Sequence, residues 1–327
     1  MEVPYTWRPT GWFQIGWSAD VPSGRTVPLR YFGEELVAYR ADDGALHVLD
    51  AHCPHFGAHL GHGGQIAGDC VTCPYHGWEW GPDGRNVSIP YQDQPNRSKR
   101  LRVWPVVEQY GNVYVWHHPE GAPPSWPMPD VFTSFPQFET DPAAYYEPVT
   151  AKATREPVHP QVVAENGPDS VHFAYVHRAS VTPVALDWSA DGPIWKFLTG
   201  WPDTRSDDPD AMVLRIHSWL AGLGGSLTAF EGVQQHRLTF TVTPVEHGVS
   251  DLFYTVWWPR RPGDDGPIPD DLAERIDREF MSTMEDDLEI WRYQRYVEKP
   301  ALAKQDAKPY KALRKWAQQF YDEPPGA

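Results

Sequence analysis

Two half-sites, Cys53-Pro54-His55 and Cys73-Pro74-Tyr75-His76, stand seventeen residues apart and constrain this chain more than any other feature. Each half carries one cysteine and one histidine. A site shared by both halves therefore gathers two thiols and two imidazoles at the tips of two loops. Pro54, Gly57, Gly61, Gly63, Gly64, Pro74 and Gly77 suit tight turns whose backbone N–H groups point at sulfur.

A Cys-x-His followed at this distance by Cys-x-x-His is the spacing of a Rieske [2Fe–2S] centre, where two thiolates hold one iron and two imidazoles the other. Thiolates donate charge to an iron that stays ferric, and neutral imidazoles leave the second iron easier to reduce. The result is a one-electron relay at higher potential than an all-cysteine cluster. Two other readings compete. Cys₂His₂ also describes zinc knuckles, but those pair like with like within each half. Four unrelated core residues would not arrive as matched halves. His52, His59 and His62 crowd the same loop off the spacing and read as surface or supporting histidines. Cys70 forms a formal Cys-x-x-Cys with Cys73 and reads as a buried structural thiol.

Composition narrows the class. The 327 residues suffice for two domains and a sizeable core. Three cysteines cannot build a disulfide framework. The opening Met1-Glu2-Val3-Pro4-Tyr5 has neither the basic stretch nor the apolar run of a secretory leader, and a cytoplasmic location is expected. No stretch approaches the roughly 20 apolar residues of a membrane span. A net charge of −16 excludes nucleic acid as the expected partner.

Residues 11–118 read as all-β. Short runs at 36–40, 46–49 and 112–116 are separated by turn chemistry at Asp42-Asp43-Gly44 and Pro82-Asp83-Gly84. The proline- and glycine-rich residues 119–129 read as a linker. The expected domains are 9–119 and 120–327, with residues 1–8 packing on the second. Beyond the linker come a helix over 160–177, strands near 211–220, 237–243 and 251–258, and a long helix over 270–296. Leu238, Phe240 and Val242, then Leu252, Tyr254, Val256 and Trp258, alternate as half-buried antiparallel strands do. The second half is therefore α+β. Residues 202–211 read as a loop.

A second constellation lies in the stretch from Glu165 to His177. Asp169 and His172 are three apart and would share a helix face. His177 lies five further on, about 140° round an ideal helix, and reaches a common metal only where the helix bends or ends. By itself Asp-x-x-His-x-x-x-x-His suits two core histidines. Beside a one-electron cluster it suits a mononuclear iron held by two histidines and a carboxylate.

Helical geometry selects the carboxylate. Phe280, Met284, Leu288 and Trp291 mark the apolar stripe of the late helix. Of Glu285, Asp286, Asp287 and Glu289, only Asp287 falls between Phe280 and Trp291, about 20° from one and about 40° from the other. A carboxylate on a buried stripe needs a partner, and a ferrous ion is one. Glu285 and Glu289 suit exposed salt bridges to Arg292 or Arg295.

Together, Gly11-Trp12-Phe13, the two cluster halves, Asn166-x-x-Asp169-x-x-His172-x-x-x-x-His177 and Asp287-Leu288-Glu289-Ile290-Trp291 resemble the oxygenase component of Rieske non-haem iron oxygenases. The resemblance runs nearly end to end. It is strongest to the group of 3-ketosteroid 9α-hydroxylases and cholesterol 7-desaturases, through residues 287–291 and the segment Tyr310-Lys311-Ala312-Leu313-Arg314-Lys315-Trp316-Ala317-Gln318-Gln319-Phe320-Tyr321. The resemblance implies an all-β Rieske domain and a helix-grip catalytic domain around an apolar cavity. It also implies a homotrimer in which the cluster of one subunit faces the iron of its neighbour. The chain is shorter than the steroid hydroxylases, in the middle of the catalytic domain, where loops shape the substrate entrance.

The implied ligands are Cys53, His55, Cys73 and His76 for the cluster and His172, His177 and Asp287 for Fe(II), with Asp169 as the hydrogen-bonded bridge between centres. The implied activity is O₂-dependent hydroxylation of an apolar polycycle such as a ketosteroid or sterol. Electrons come from NAD(P)H through a separate reductase or ferredoxin, since no Gly-x-Gly-x-x-Gly fingerprint occurs here. Within the family the alternative is an oxidative demethylase or aromatic hydroxylase. An electron-transfer Rieske protein would leave about two hundred residues without a task, and both histidines with an inward carboxylate count against a lipid-binding module with a vestigial iron site. The run Asn96-Arg97-Ser98-Lys99-Arg100-Leu101-Arg102 reads either as a solvated surface or as a steering patch for an acidic electron donor.

Overall fold

The computed structural model describes residues 2–232 and 235–321; residue 1 and residues 322–327, at the ends of the expected domain ranges, lie outside the described residues. The chain divides into two compact units. One is Trp12–Ser125 with Thr243–His247; the other is Met1–Gly11, Trp126–Val242 and Gly248–Ala327.

The first unit consists of short strands: β1 (Gly11–Trp17), β2 (Val27–Tyr31), β3 (Glu34–Arg40), β4 (Leu46–Asp50), β5 (Gln65–Ala67), β6 (Cys70–Thr72), β7 (Glu79–Trp80), β8 (Asn86–Ser88), β9 (Val106–Gln109) and β10 (Asn112–His117). They form sheets ordered β1-β10-β9, β2-β3-β4 and β5-β6-β7-β8. Two hairpins close on an aromatic residue followed by glycine. Phe32 and Gly33 (φ 57° and 73°) join Tyr31 to Glu34, and Tyr110 and Gly111 (φ 49° and 86°) join Gln109 to Asn112. Positive φ at both central positions is the type I′ geometry that matches strand twist. Between the sheets lies a core of Val37, Tyr39, Leu49, Leu60, Val71 and Trp80 that also takes in Cys53 and Cys73. The two loops that carry the half-sites leave β4 and β6.

The second unit is a seven-stranded sheet with helices. Its elements are β11 (Val149–Glu156), α1 (Pro160–Glu165), α2 (His172–Tyr175), β12 (Val184–Asp191), β13 (Ile194–Pro202), β14 (Met212–Ala221), β15 (Gly225–Gly232), β16 (Arg237–Glu246), β17 (Val249–Trp257), α3 (Asp270–Trp291) and α4 (Ala307–Ala317). The sheet order is β11-β17-β16-β15-β14-β13-β12. Strands at 212–221, 237–246 and 249–257 lie where the sequence places them, the last two on the alternation. The helix expected over 160–177 is instead two short helices. Pro168 follows Gly167, lacks an N–H and disfavours helical geometry in the residue before it, so the chain cannot continue through. The 270–296 helix ends at Trp291.

Helix α3 buries Leu272, Ile276, Met284, Leu288 and Trp291 against Leu252, Tyr254 and Val256 of the sheet, with Phe280 packed beside them. Asp287 is buried on the same stripe. At roughly 25 cal/mol per Å² of apolar surface, such a stripe fixes the helix far more firmly than its propensity does. The stripe therefore sets where Asp287 points. Helix α4 is tied to α1 by a buried ion pair: Arg314 Nε and Nη2 each donate to Glu165 at 2.9 Å, and Tyr310 Oη donates to the same carboxylate. Tyr321 Oη in turn donates to Gln161 Oε1 at 3.1 Å. The segment 310–321 thus anchors the short helix that leads into the Glu165–His177 stretch. No described helix is long and apolar enough to cross a membrane.

Candidate metal centres and an apolar cavity

The two half-site loops share one construction although their histidines fall at different offsets. Cys53 O accepts from Gly57 N–H at 2.8 Å and Cys73 O from Gly77 N–H at 3.0 Å. Cys53 N–H donates to Ala58 O at 2.9 Å and Cys73 N–H to Trp78 O at 2.8 Å. Gly57 and Gly77 have φ of 76° and 71°, and a Cβ on Gly77 would lie 2.8 Å from the Pro90 ring. Glycine is required there on both counts.

These matched turns bring four donors together. Cys53 and Cys73 are buried free thiols. The His55 and His76 rings have centroids 4.7 Å apart, and His55 stacks on Trp78 at 4.3 Å. Nδ1 of both histidines is buried without a hydrogen-bond partner. Two orphaned ring nitrogens beside two buried thiols fit a [2Fe–2S] cluster of the Rieske type, which satisfies all four. Burial pushes the Cys53 thiol up, and the His55 backbone N–H acts in the opposite sense by favouring thiolate.

The neighbouring histidines are otherwise engaged. His52 donates from Nδ1 to Gly57 O at 3.0 Å and meets Glu35 Oε2 through Nε2 at 2.6 Å. His59 Nδ1 accepts from Gly61 N–H at 3.0 Å, and His62 rests on the His59 ring. Glu35, His52 and His59 offer ligand atoms within 4.8 Å of one another. These hydrogen bonds account for them. Cys70 is buried and donates to Asp69 Oδ1 at 3.2 Å; burial, then Asp69, pushes its thiol up to about 12.

In the second unit the structure brings His172, His177 and Asp287 together, with one ligand atom from each within 4.8 Å of the others. His172 opens α2, while His177 lies beyond the end of that helix. Arg178 follows in left-handed geometry (φ 54°) and turns the chain away. Asp169 is not on a helix face with His172, since α2 starts at His172. It precedes the helix, and its Oδ1 accepts from Val171 N–H at 3.1 Å and His172 N–H at 3.2 Å. His172 Nδ1 donates to the Asp169 carbonyl, which makes Nε2 the acceptor nitrogen, and Asn166 Nδ2 donates to it at 3.3 Å. A backbone carbonyl fixing the tautomer of a histidine is the usual support of a metal ligand.

His177 Nε2 lies 3.4 Å from Asp287 Oδ1, and its Nδ1 lies 3.7 Å from Asp286 Oδ2 and has no hydrogen-bond partner. Burial would lower the His177 pKa, but Asp287 and Asp286 outweigh it and the net direction is upward. Burial lowers His172, only partly offset by Asp287 and Asp169. Two imidazoles and one carboxylate, convergent and underused in hydrogen bonding, fit a 2-His-1-carboxylate iron site.

This site opens on a cavity of about 370 Å³, within the roughly 300–1,000 Å³ of small-molecule sites. Its walls are the inward residues of β13 to β17, including Phe197, Trp201, Ile216, Phe240 and Tyr254. Sequence reasoning missed this wall on β13 and β15. The period-two set Ser226, Thr228, Phe230 was the available signal.

Residues 115–321 match the family described as the 3-ketosteroid 9α-hydroxylase C-terminal domain, and residues 11–110 match the Rieske [2Fe-2S] domain. The chain is 30% identical to cholesterol 7-desaturase of Hemicentrotus pulcherrimus over 96% of its own length and 70% of that protein. It is 29% identical to the oxygenase component of 3-ketosteroid-9-alpha-monooxygenase of Rhodococcus rhodochrous, over 95% of its length and 80% of that protein. Among solved structures it resembles dicamba monooxygenase bound to dicamba, with a TM-score of 0.68, 20% identity, and coverage of 96% of this chain and 98% of that one.

Proposed function

The chain belongs to the Rieske oxygenases that carry the 3-ketosteroid 9α-hydroxylase C-terminal domain, and on that premise we propose that it is the terminal component of a monooxygenase acting on a ketosteroid or sterol. The observation that carries this reading is the convergence of His172, His177 and Asp287 at the wall of an apolar cavity. Cys53, His55, Cys73 and His76 hold the cluster, and His172, His177 and Asp287 hold the iron. Residues 9–119 form the cluster domain and 120–327 the catalytic domain.

When bound, the cluster relays single electrons and the iron activates O₂. The protein supplies the rest. Asp169 presents its carbonyl to His172 Nδ1 and so keeps Nε2 available as a ligand. Its Oδ1 holds the start of α2, and among the described residues Oδ2 has no hydrogen-bond partner, which leaves it available to bridge the two centres. The apolar wall needs no ligand bond to the substrate. It excludes water and holds one carbon of a rigid polycycle within reach of the reacting oxygen.

Electrons come from NAD(P)H through a separate reductase or ferredoxin, and the subunits work as a homotrimer in the cytoplasm. The test is turnover with a surrogate reductase over a panel of 3-oxo steroids and 3-hydroxysterols under ¹⁸O₂. One labelled oxygen per product is expected with a panel member. Reductant consumption without product from any of them overturns the substrate assignment.

A further inference from the structure

Within the apolar wall two hydroxyls face each other across neighbouring strands. Ser218 of β14 is in register with Thr228 of β15, both line the cavity, and both are only 4% exposed. Their oxygens lie 3.1 Å apart, and among the described residues each hydroxyl has the other as its sole side-chain hydrogen-bond partner. Their flanking and cross-strand neighbours on β13, β14 and β16 are apolar, while Thr199 and Ser226 lie one step further along the wall. Ile216 and Leu220 flank Ser218 on the inner face of β14, Phe197 pairs with Ser218 from β13, and Leu238 pairs with Thr228 from β16.

The donor inventory shows what is left over. Two hydroxyls carry two O–H donors, and their mutual bond consumes one. The second donor is buried beside hydrocarbon, where leaving a hydrogen bond unmade is unfavourable. Ser226, the next hydroxyl along the wall, differs, since it donates to the Phe240 carbonyl at 3.5 Å. A pair with one spare donor, facing a cavity and framed by apolar side chains, is built for one acceptor oxygen on an otherwise apolar ligand.

The geometry points to Ser218 and Thr228 as the polar anchor of the substrate, receiving a keto or hydroxyl oxygen of a polycyclic ring system. This deepens the substrate reading above and rests on it. The anchor fixes which end of the polycycle lies at β14 and β15, and so which carbon is presented at the His172, His177 and Asp287 end. A keto oxygen accepts the spare proton. A hydroxyl oxygen does the same and can return its own proton to the pair's remaining lone pairs. A hydrocarbon leaves the spare donor unmatched and is discriminated against, as in sites built around a substrate oxygen.

The test is equilibrium binding to the metal-loaded protein, read by quenching of tryptophan fluorescence, since Trp201 lines the cavity. Three probes share one skeleton: androst-4-en-3-one, its 3-hydroxy counterpart and the deoxygenated androst-4-ene. Wild type is expected to bind one or both oxygenated probes at least tenfold more tightly than the hydrocarbon, and which of the two identifies the oxygen. Ser218→Ala with Thr228→Val is expected to erase that preference while hydrocarbon binding is kept or improved. Thr228→Ser, which keeps the hydroxyl, is expected to retain it. Equal wild-type affinity for all three probes overturns the anchor and leaves the oxygenase reading intact. Binding of none overturns the steroid assignment and the anchor with it. A double variant that keeps the wild-type preference overturns the anchor, and an unchanged cluster spectrum and melting temperature show that the variant is folded.

Discussion

His177 Nε2 and Asp287 Oδ1 lie 3.4 Å apart, with Asp287 on the buried stripe of α3 and His177 just past the end of α2. The adjacent Asp286 approaches the other ring nitrogen of the same histidine, at 3.7 Å. Consecutive carboxylates thus flank one imidazole, and their expected roles differ. Asp287→Ala is expected to lose the mononuclear iron and all turnover while the cluster spectrum survives. Asp286→Asn is expected to keep iron with affinity lowered roughly tenfold, the usual effect of removing a ligand's support. Ferrous-ion titration of both variants checks this. Iron retained at full affinity by Asp287→Ala would assign the ligand to Asp286.

Asp169 separates orientation from bridging. In Asp169→Asn the amide oxygen still accepts the Val171 and His172 N–H groups, and the main-chain carbonyl still faces His172. Both metals are expected to stay, while cluster-to-iron electron transfer slows by more than tenfold in single-turnover measurements. Asp169→Ala also removes the acceptor of the Val171 and His172 N–H groups, worth about 1 kcal/mol per hydrogen bond, and is expected to melt earlier. Loss of iron from the asparagine variant would make Asp169 a ligand or a purely structural residue.

Cys70 is expected to be inert. With its thiol pushed up to about 12 by burial and by Asp69, the thiolate fraction at pH 8 is on the order of 10⁻⁴. Iodoacetamide should leave it unmodified in the native protein and label it after unfolding, and Cys70→Ala should leave the visible spectrum unchanged. Native labelling at the rate of an exposed cysteine would contradict the assignment.

Among the described residues Arg97, Lys99 and Arg100 make no ion pair; Arg100 donates to the Asp83 carbonyl at 2.8 Å and Arg97 to the Asn86 carbonyl at 3.5 Å. A cationic stretch left uncompensated in a chain of charge −16 suits steering of an acidic electron donor. Changing all three to glutamate is expected to slow reduction by the protein donor several-fold and to flatten its salt dependence, because screening shortens to roughly 8 Å at physiological ionic strength. Small neutral mediators should reduce both forms alike. Equal rates with the protein donor at low salt would leave the run as surface only.

The sequence disclosed most where chemistry is local. Ligand spacing alone marked the half-sites, and a helical wheel alone placed Asp287 on the buried stripe, because α3 is long and its stripe keeps one period from Leu272 to Trp291. The 160–177 stretch misled because one helix was read across Gly167-Pro168, where the backbone cannot continue it. The wall strands were hardest to read. Inward residues that face a cavity are neither core nor surface, so Thr199, Ser218 and Thr228 interrupt the alternation that marked β16 and β17. The opposition of Ser218 and Thr228 depends on strand register, which only the fold supplies.

The two-centre reading is tested most directly by the metal content of the protein purified without oxygen, measured together with its paramagnetic spectrum. About three irons and two acid-labile sulfides per chain are expected, with a Rieske signal on reduction, falling to about two irons in Asp287→Ala with that signal unchanged. Zinc at Cys53, His55, Cys73 and His76, with no visible absorption, would contradict it.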